Sequence, residues 1–172
     1  MGEHHEFGRL AAIACNTVGA PGQRRFRMQL VSEFGDSATV WLEKTQLAGL
    51  GDAIRSILSD EGVSLSPRSL DDMDEDDPIP LNSSVEMDIR AGQLSLGLDQ
   101  EKRLMVVIGS ESDMDDDSQR ISAQFDFSRA RTFRLAIDEL VAAGRPACPL
   151  CTAPIDSEGH ICPKSNGHHK QD

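Results

Sequence analysis

The chain has no tyrosine and a single tryptophan, Trp41, but the shortage that constrains chemistry is of histidine. All five histidines lie near the ends, at His4, His5, His160, His168 and His169. The body therefore has no imidazole for acid–base or nucleophilic work, and a Ser-His-Asp or Cys-His site would have to borrow one from the C-terminal tail. No apolar run approaches the ~20 residues of a membrane-spanning helix. Met1 to Phe7 carries His and Glu instead of a basic region followed by an apolar one, so no secretory leader is expected. A phosphate-cradling loop is missing too, because Gly19-Ala20-Pro21-Gly22-Gln23 lacks the Lys-Ser/Thr that such a loop needs.

Positive charge is also short. The formal net charge is −12, with 17 Lys and Arg against 29 Asp and Glu. The imbalance is regional. Residues 1–59 carry six basic against six acidic side chains and residues 118–172 seven against six, whereas residues 60–117 carry four against seventeen. General affinity for nucleic acid needs a basic footprint that displaces counterions, and that reading is disfavoured. A local basic face remains open, because the flanking regions are close to neutral.

What is present is a metal-ligand pattern at the C-terminus. Three of the four cysteines fall in Cys148-Pro149-Leu150-Cys151 and His160-Ile161-Cys162, a C-x2-C and an H-x-C pair with eight residues between them. Cys148, Cys151, His160 and Cys162 would complete a tetrahedral Cys3His shell, which suits structural Zn(II) and leaves no position for a substrate water. His168 and His169 compete with His160 for the fourth corner. A redox dithiol is the rival, but such a pair opens a helix, and here Pro154 follows only three residues after Cys151. Pro146, Pro149, Pro154, Gly159, Pro163 and Gly167 mark knuckles and turns over 146–172. Cys15 stands alone in an apolar run and reads as core. Thiols in a metal pattern, without a disulfide framework, fit a reducing cytoplasm.

Along the chain, residues 1–8 read as a frayed terminus. Arg9 to Val18 reads as a strand ending in the Gly19-Ala20-Pro21-Gly22 turn. Phe26, Met28 and Leu30 alternate with Arg25, Arg27 and Gln29, and Ala38, Val40 and Leu42 with Thr39, Trp41 and Glu43, giving two more strands. Thr45 is the expected N-cap of a helix whose inner face is Leu47, Leu50, Ile54, Ile57 and Leu58, closed by Gly62. Gly49 and Gly51 inside it imply close packing or a late start. Residues 64–84 form a linker around the self-repelling run Asp71 to Asp77. Asp72, Asp74 and Asp76 mimic a calcium loop but lack its turn glycine and terminal glutamate.

The second half, 85–145, repeats this order. Strand patterns surround Gly92, then come Leu104 to Ile108 and Ile121 to Phe127, with a further acidic loop, Asp113 to Asp117, between those two. Ser128 is the expected cap of a helix with Ala130, Phe133, Ile137, Leu140 and Val141 inward, closed by Gly144. At an offset of 83 residues Leu42 lands on Phe125, Leu50 on Phe133, Ile54 on Ile137 and Leu58 on Val141. The expected fold is α+β: a duplicated β-β-β-α unit (9–62 and 85–145) forming one pseudo-twofold body over 1–145. Its sheet is antiparallel, its two helices cover one face, and a small zinc ribbon or knuckle is appended. Two amphipathic helices after strands can also agree by chance.

Several motifs here are shared with a known family. They are Thr17-Val18-Gly19-Ala20-Pro21-Gly22-Gln23-Arg24, Leu42-Glu43-Lys44-Thr45-Gln46, the Ala143 to Cys151 segment, Asp156 to Pro163, and Asn166-Gly167. On these motifs the chain resembles, over nearly its whole length, an uncharacterised bacterial family, domain of unknown function 3090. The resemblance implies a cytoplasmic protein with a zinc-ribbon-like tail and brings no established activity. The family's usual linker is less acidic, which sets residues 71–77 apart.

Function is read accordingly. The leading expectation is a non-enzymatic protein-interaction or adaptor module. Its contacts with a protein partner would come from Arg24, Arg25 and Arg27 and from Arg129, Arg131 and Arg134, all of which could equally form a solvated basic face. The second is an enzyme or ligand-binding protein that uses the Gly19 to Arg24 turn as an anion site. The third is a weak nucleic-acid binder through the tail, near Lys164, His168, His169 and Lys170.

Overall fold

The computed structural model describes residues 2–20, 22–66, 87–111, 118–143, 148–153, 155 and 159–164. The acidic runs 71–77 and 113–117, the Pro21 corner, Gly144, His168, His169 and Lys170 lie outside the described residues. The order of elements is β1 (His4–Val18), β2 (Arg25–Ser32), β3 (Ser37–Leu42), α1 (Lys44–Asp60), β4 (Met87–Arg90), β5 (Gln93–Asp99), β6 (Leu104–Ser110), β7 (Arg120–Asp126) and α2 (Phe127–Ala142). The protein is α+β, with one seven-stranded sheet in the order β4-β3-β2-β1-β7-β6-β5 and two helices.

The sheet is mixed, which corrects the expectation of an antiparallel one. Within each half the strands run antiparallel, β1–β2–β3 and β5–β6–β7. The halves meet through two parallel seams, β1–β7 and β3–β4. β1 serves both kinds of pairing by bending. His4 to Arg9 pair with β7, and Leu10 to Val18 pair with β2. The register slips between Glu6 and Arg9, where Gly8 takes a positive φ of 60° that glycine tolerates. The presumed frayed terminus is therefore strand. Its polar residues concealed it, while Phe7 and Leu10 are buried.

β4 and β5 divide the same labour in the second half. They sit at opposite ends of the strand order yet are joined by only Ala91 and Gly92. With consecutive Cα atoms ~3.8 Å apart, those ends lie within about 11 Å of each other, so the sheet curls closed. Ala91 N–H donates to Trp41 O on β3 at 3.0 Å, and Gly92 N–H to Ser110 O on β6 at 2.8 Å. Closure brings β3 and β6 face to face, and a Cβ on Gly109 would lie 3.8 Å from Val40 Cγ1.

The helices lie against each other, and each also packs on the other half. α1 rests on β5, and α2 on β1 as well as on β6 and β7. Leu47, Leu50, Ile54 and Leu58 of α1 join Ala130, Phe133 and Ile137 of α2 in one apolar cluster with the strands. Gly51 is where the helices touch most closely: a Cβ there would meet Ile137 Cγ2 at 2.9 Å. Gly49 has open space, so close packing accounts for one of the two glycines.

Both helices start a residue or two earlier than expected. Glu43, not Thr45, caps α1 through a reciprocal box in which Gln46 Oε1 accepts from Glu43 N–H at 2.8 Å. Asp126, not Ser128, caps α2 by accepting from Arg129 N–H at 2.9 Å, and Phe127 belongs to the helix. An acid can cap as well as a hydroxyl, so these neighbouring residues were ambiguous in sequence. α1 ends as expected at Gly62, with φ +68°. Gly62 N–H bonds Ser59 O at 3.0 Å and Val63 N–H bonds Leu58 O at 2.8 Å, the doubly bonded glycine termination.

Candidate metal centre

The tail folds tightly at Cys148. Its N–H donates to Ala153 O at 2.8 Å, and Thr152 N–H donates back to Cys148 O at 2.8 Å. That turn faces the sulfur of Cys148 with the backbone N–H groups of Cys151 and Leu150, which lower its pKa from the usual thiol value more than desolvation raises it. Cys151 has the N–H of Ala153 acting to lower its pKa. The net shift is nonetheless upward, from desolvation and from its neighbours Cys148 and Cys162. Three thiols this close resist joint ionisation unless a cation offsets their charge.

Gly159, at φ +86°, precedes the second ligand pair and turns the chain back. Sγ of Cys148, Cys151 and Cys162 and a ring nitrogen of His160 all lie within 4.8 Å of one another. Cys148 Sγ is 3.8 Å from Cys162 Sγ, and Cys151 Sγ is 3.2 Å from His160 Nε2. Around an ion with metal–sulfur bonds of ~2.3 Å, tetrahedral corners are about 3.8 Å apart. The four donors have the spacing of one coordination sphere, and they could hold a metal ion. Cys148 and Cys162 are buried, while Cys151 and His160 are partly exposed. Cys15 is not part of this group; it lies in β1, where burial pushes its thiol to about 11.

The six arginines do not form one face. Arg25 and Arg27 lie over the Trp41 ring, at 4.3 and 5.8 Å from its centroid. Arg27 also bonds Asn16 Oδ1, and Arg24 reaches Ala143 O at 3.5 Å. Arg134 is placed differently from the others. It is 7% exposed, pairs with Asp138 at 2.8 Å and donates to Leu65 O at 3.2 Å. It ties residue 65 to α2. Arg131 is half-buried, with a buried Nε that has no hydrogen bond among the described residues. Arg129 has interactions of its own near the α2 cap.

Sequence reasoning passed over Arg90. It lies at the end of β4, 3.7 Å from Glu43, and lines a shallow cleft with Arg24, Arg25 and Trp41. Its isolation between acidic residues in the sequence gave no signal. Only strand pairing brings it to the others.

The protein is therefore a closed α+β domain followed by a compact Cys3His cluster that could hold a metal ion. It belongs to the family described as Protein of unknown function (DUF3090), which matches residues 5–162 and so takes in all four cluster residues. That is the family its turn and tail motifs resemble. No curated protein matches the chain. Among the described residues no helix is long and apolar enough to cross a membrane.

Proposed function

We propose that this protein is a non-enzymatic interaction module whose tail is folded by a structural Zn(II). The observation that carries the reading is the convergence of Cys148, Cys151, His160 and Cys162 within 4.8 Å. Three thiolates and an imidazole suit zinc in a tetrahedral shell, and four protein ligands leave no corner for substrate. Such a knuckle orders a segment too short to bury a core, so metal binding and local folding are one event. A reducing compartment such as the cytoplasm keeps the thiols available.

An adaptor role is supported by what the knuckles display. Leu150, between the first two cysteines, is 55% exposed, and Ile161, between His160 and Cys162, is 85% exposed. Apolar side chains held outward beside a rigid ion fit contact with a protein partner. The net charge of −12 disfavours nucleic acid as that partner.

The body that precedes the tail is, in this reading, a duplicated unit with a pseudo-twofold axis. Each half sets its last strand parallel to the first strand of the other, and each helix packs across onto the other half. The acids that cap the helices are placed alike and paired alike, Glu43 with Arg90 at 3.7 Å and Asp126 with Arg9 at 3.2 Å.

Elemental analysis of protein purified without chelators is expected to return about one zinc per chain. Cys148→Ser and Cys162→Ser should lower that ratio sharply. Native protein carrying well under one zinc would end this reading. Paired recovery from lysate with wild type and with Leu150→Ser/Ile161→Ser tests the adaptor role. A partner retained equally by both proteins argues against these side chains as the contact.

A further inference from the structure

The cleft at the β3–β4 seam has no part in the metal centre. It opens at the C-terminal ends of these two parallel strands, where α1 begins, and is lined by Arg24, Arg25 and Arg90 with Trp41 and Glu43. In open parallel sheets the carboxyl ends of adjacent strands form a crevice that receives ligands, and this seam reproduces that local arrangement. Three guanidiniums face one carboxylate here, in a chain that is otherwise strongly acidic.

These guanidiniums are under-used. Among the described residues the ion pairs leave Arg24 and Arg25 without a carboxylate, and Arg90 has only the exposed, long contact to Glu43. Arg24 is offered by a turn that glycine makes feasible. Gly19 has φ +108°, and a Cβ on it would meet Gln23 O at 2.8 Å. The corresponding place in the other seam keeps an acid–arginine pair, Asp126 with Arg9 at 3.2 Å, but Gln124 stands at the offset position of Trp41. The basic cleft is thus a feature of one half, not a by-product of the architecture.

We propose that this cleft binds the phosphoryl group of a small soluble phosphomonoester, with Arg24, Arg25 and Arg90 as donors. A dianion with three terminal oxygens matches three guanidiniums opposed by one carboxylate, whereas a carboxylate would leave positive charge unmet. The cleft holds about 70 Å³. That is room for a phosphoryl group, since ~10–15 Å³ of such space holds a water, and too little to enclose a whole organic ligand, which takes ~300 Å³ or more. The rest of the molecule projects into solvent. A free metabolite is favoured over a lipid headgroup because a chain of net charge −12 is repelled by an anionic bilayer.

Titration with inorganic phosphate and with glycerol 3-phosphate, against acetate and chloride at matched ionic strength, tests this by calorimetry and phosphorus NMR. Saturable binding of the two phosphates alone is expected. Arg24→Gln and Arg90→Gln should each weaken it about tenfold or more, as loss of a charge-assisted donor does. Arg90 is 80% exposed, so Arg90→Gln keeps the fold even if Arg25→Gln, which loses the Trp41 stack, does not. Equal response to acetate, or unchanged phosphate binding in the Arg24→Gln/Arg90→Gln double variant, overturns the site. Binding to phosphoinositide vesicles without binding to either soluble phosphate overturns the soluble ligand. Cys148→Ser should leave phosphate binding intact, which separates this proposal from the zinc reading.

Discussion

Gly51 shows how a single hydrogen atom can set the distance between two helices. Its missing Cβ makes room for Ile137 Cγ2, which a methyl group would meet at 2.9 Å. Gly51→Ala should destabilise the protein by about 1–3 kcal/mol through overpacking. Gly49→Ala, in open space, should be neutral or stabilising by up to about 1 kcal/mol. Urea denaturation of the two variants reads the difference directly. Cys15 makes a pH-dependent prediction. Burial raises its pKa from 9.0 to about 11, so in the unfolded chain the thiol loses its proton first. Between about pH 9 and 11 the folded state holds more protons than the unfolded, and stability falls as pH rises. Below that window the thiol contributes no slope. Cys15→Val should flatten this part of the stability–pH curve, measured by denaturation at successive pH values. The grouping of Cys148, Cys151, His160 and Cys162 was legible at this scale because such spacing is local. Arg134 and Arg90 were not, since one is buried and the other recruited only by contacts distant in sequence.

Among the elements, α1 and the β4–β5 link depend on each other. Gln46 closes the N-terminal box of α1 by accepting from Glu43 N–H, and its Nε2 donates to Ala91 O and Gly92 O at 3.2 Å each. One side chain thus secures both the start of a helix and the residues that close the sheet. Gln46→Ala should cost about 1–2 kcal/mol, seen as a lower midpoint in thermal or urea unfolding. Alternation and 3.6-residue spacing located every strand core and both helices, and Gly62 marked a helix end. The strand directions were another matter. Whether neighbours run parallel is decided by which half meets which, and that pairing spans more than 110 residues between His4 and Arg120. The N-terminal part of β1 stayed hidden for a related reason. A strand that pairs on one side in parallel and then bends to a new neighbour carries no single period of two.

For the whole molecule, the apolar cluster of the body is complete without Cys148 or Cys162. If the cluster holds zinc as proposed, stripping it with a strong chelator should therefore melt the tail and spare the rest. Far-UV circular dichroism is expected to change little, while amide exchange over residues 148–164 rises sharply. Cooperative loss of the entire fold on chelation would show instead that the two parts are energetically one. The acidic middle of the sequence announced regional charge, but not that a basic cleft survives within an acidic protein. That cleft joins Arg24, Arg25 and Trp41 to Arg90, one of the four basic residues inside the acidic middle.

The cross-packing of the helices has a consequence for how this chain can be divided. Since α1 rests on β5 and α2 on β1, and both parallel seams join one half to the other, neither half carries a complete set of neighbours. A gene cut between Ser66 and Met87 would yield two fragments that are unstructured apart and rebuild the sheet when mixed. The same logic lets two copies trade halves, making reciprocal exchange the natural route by which this chain would dimerise.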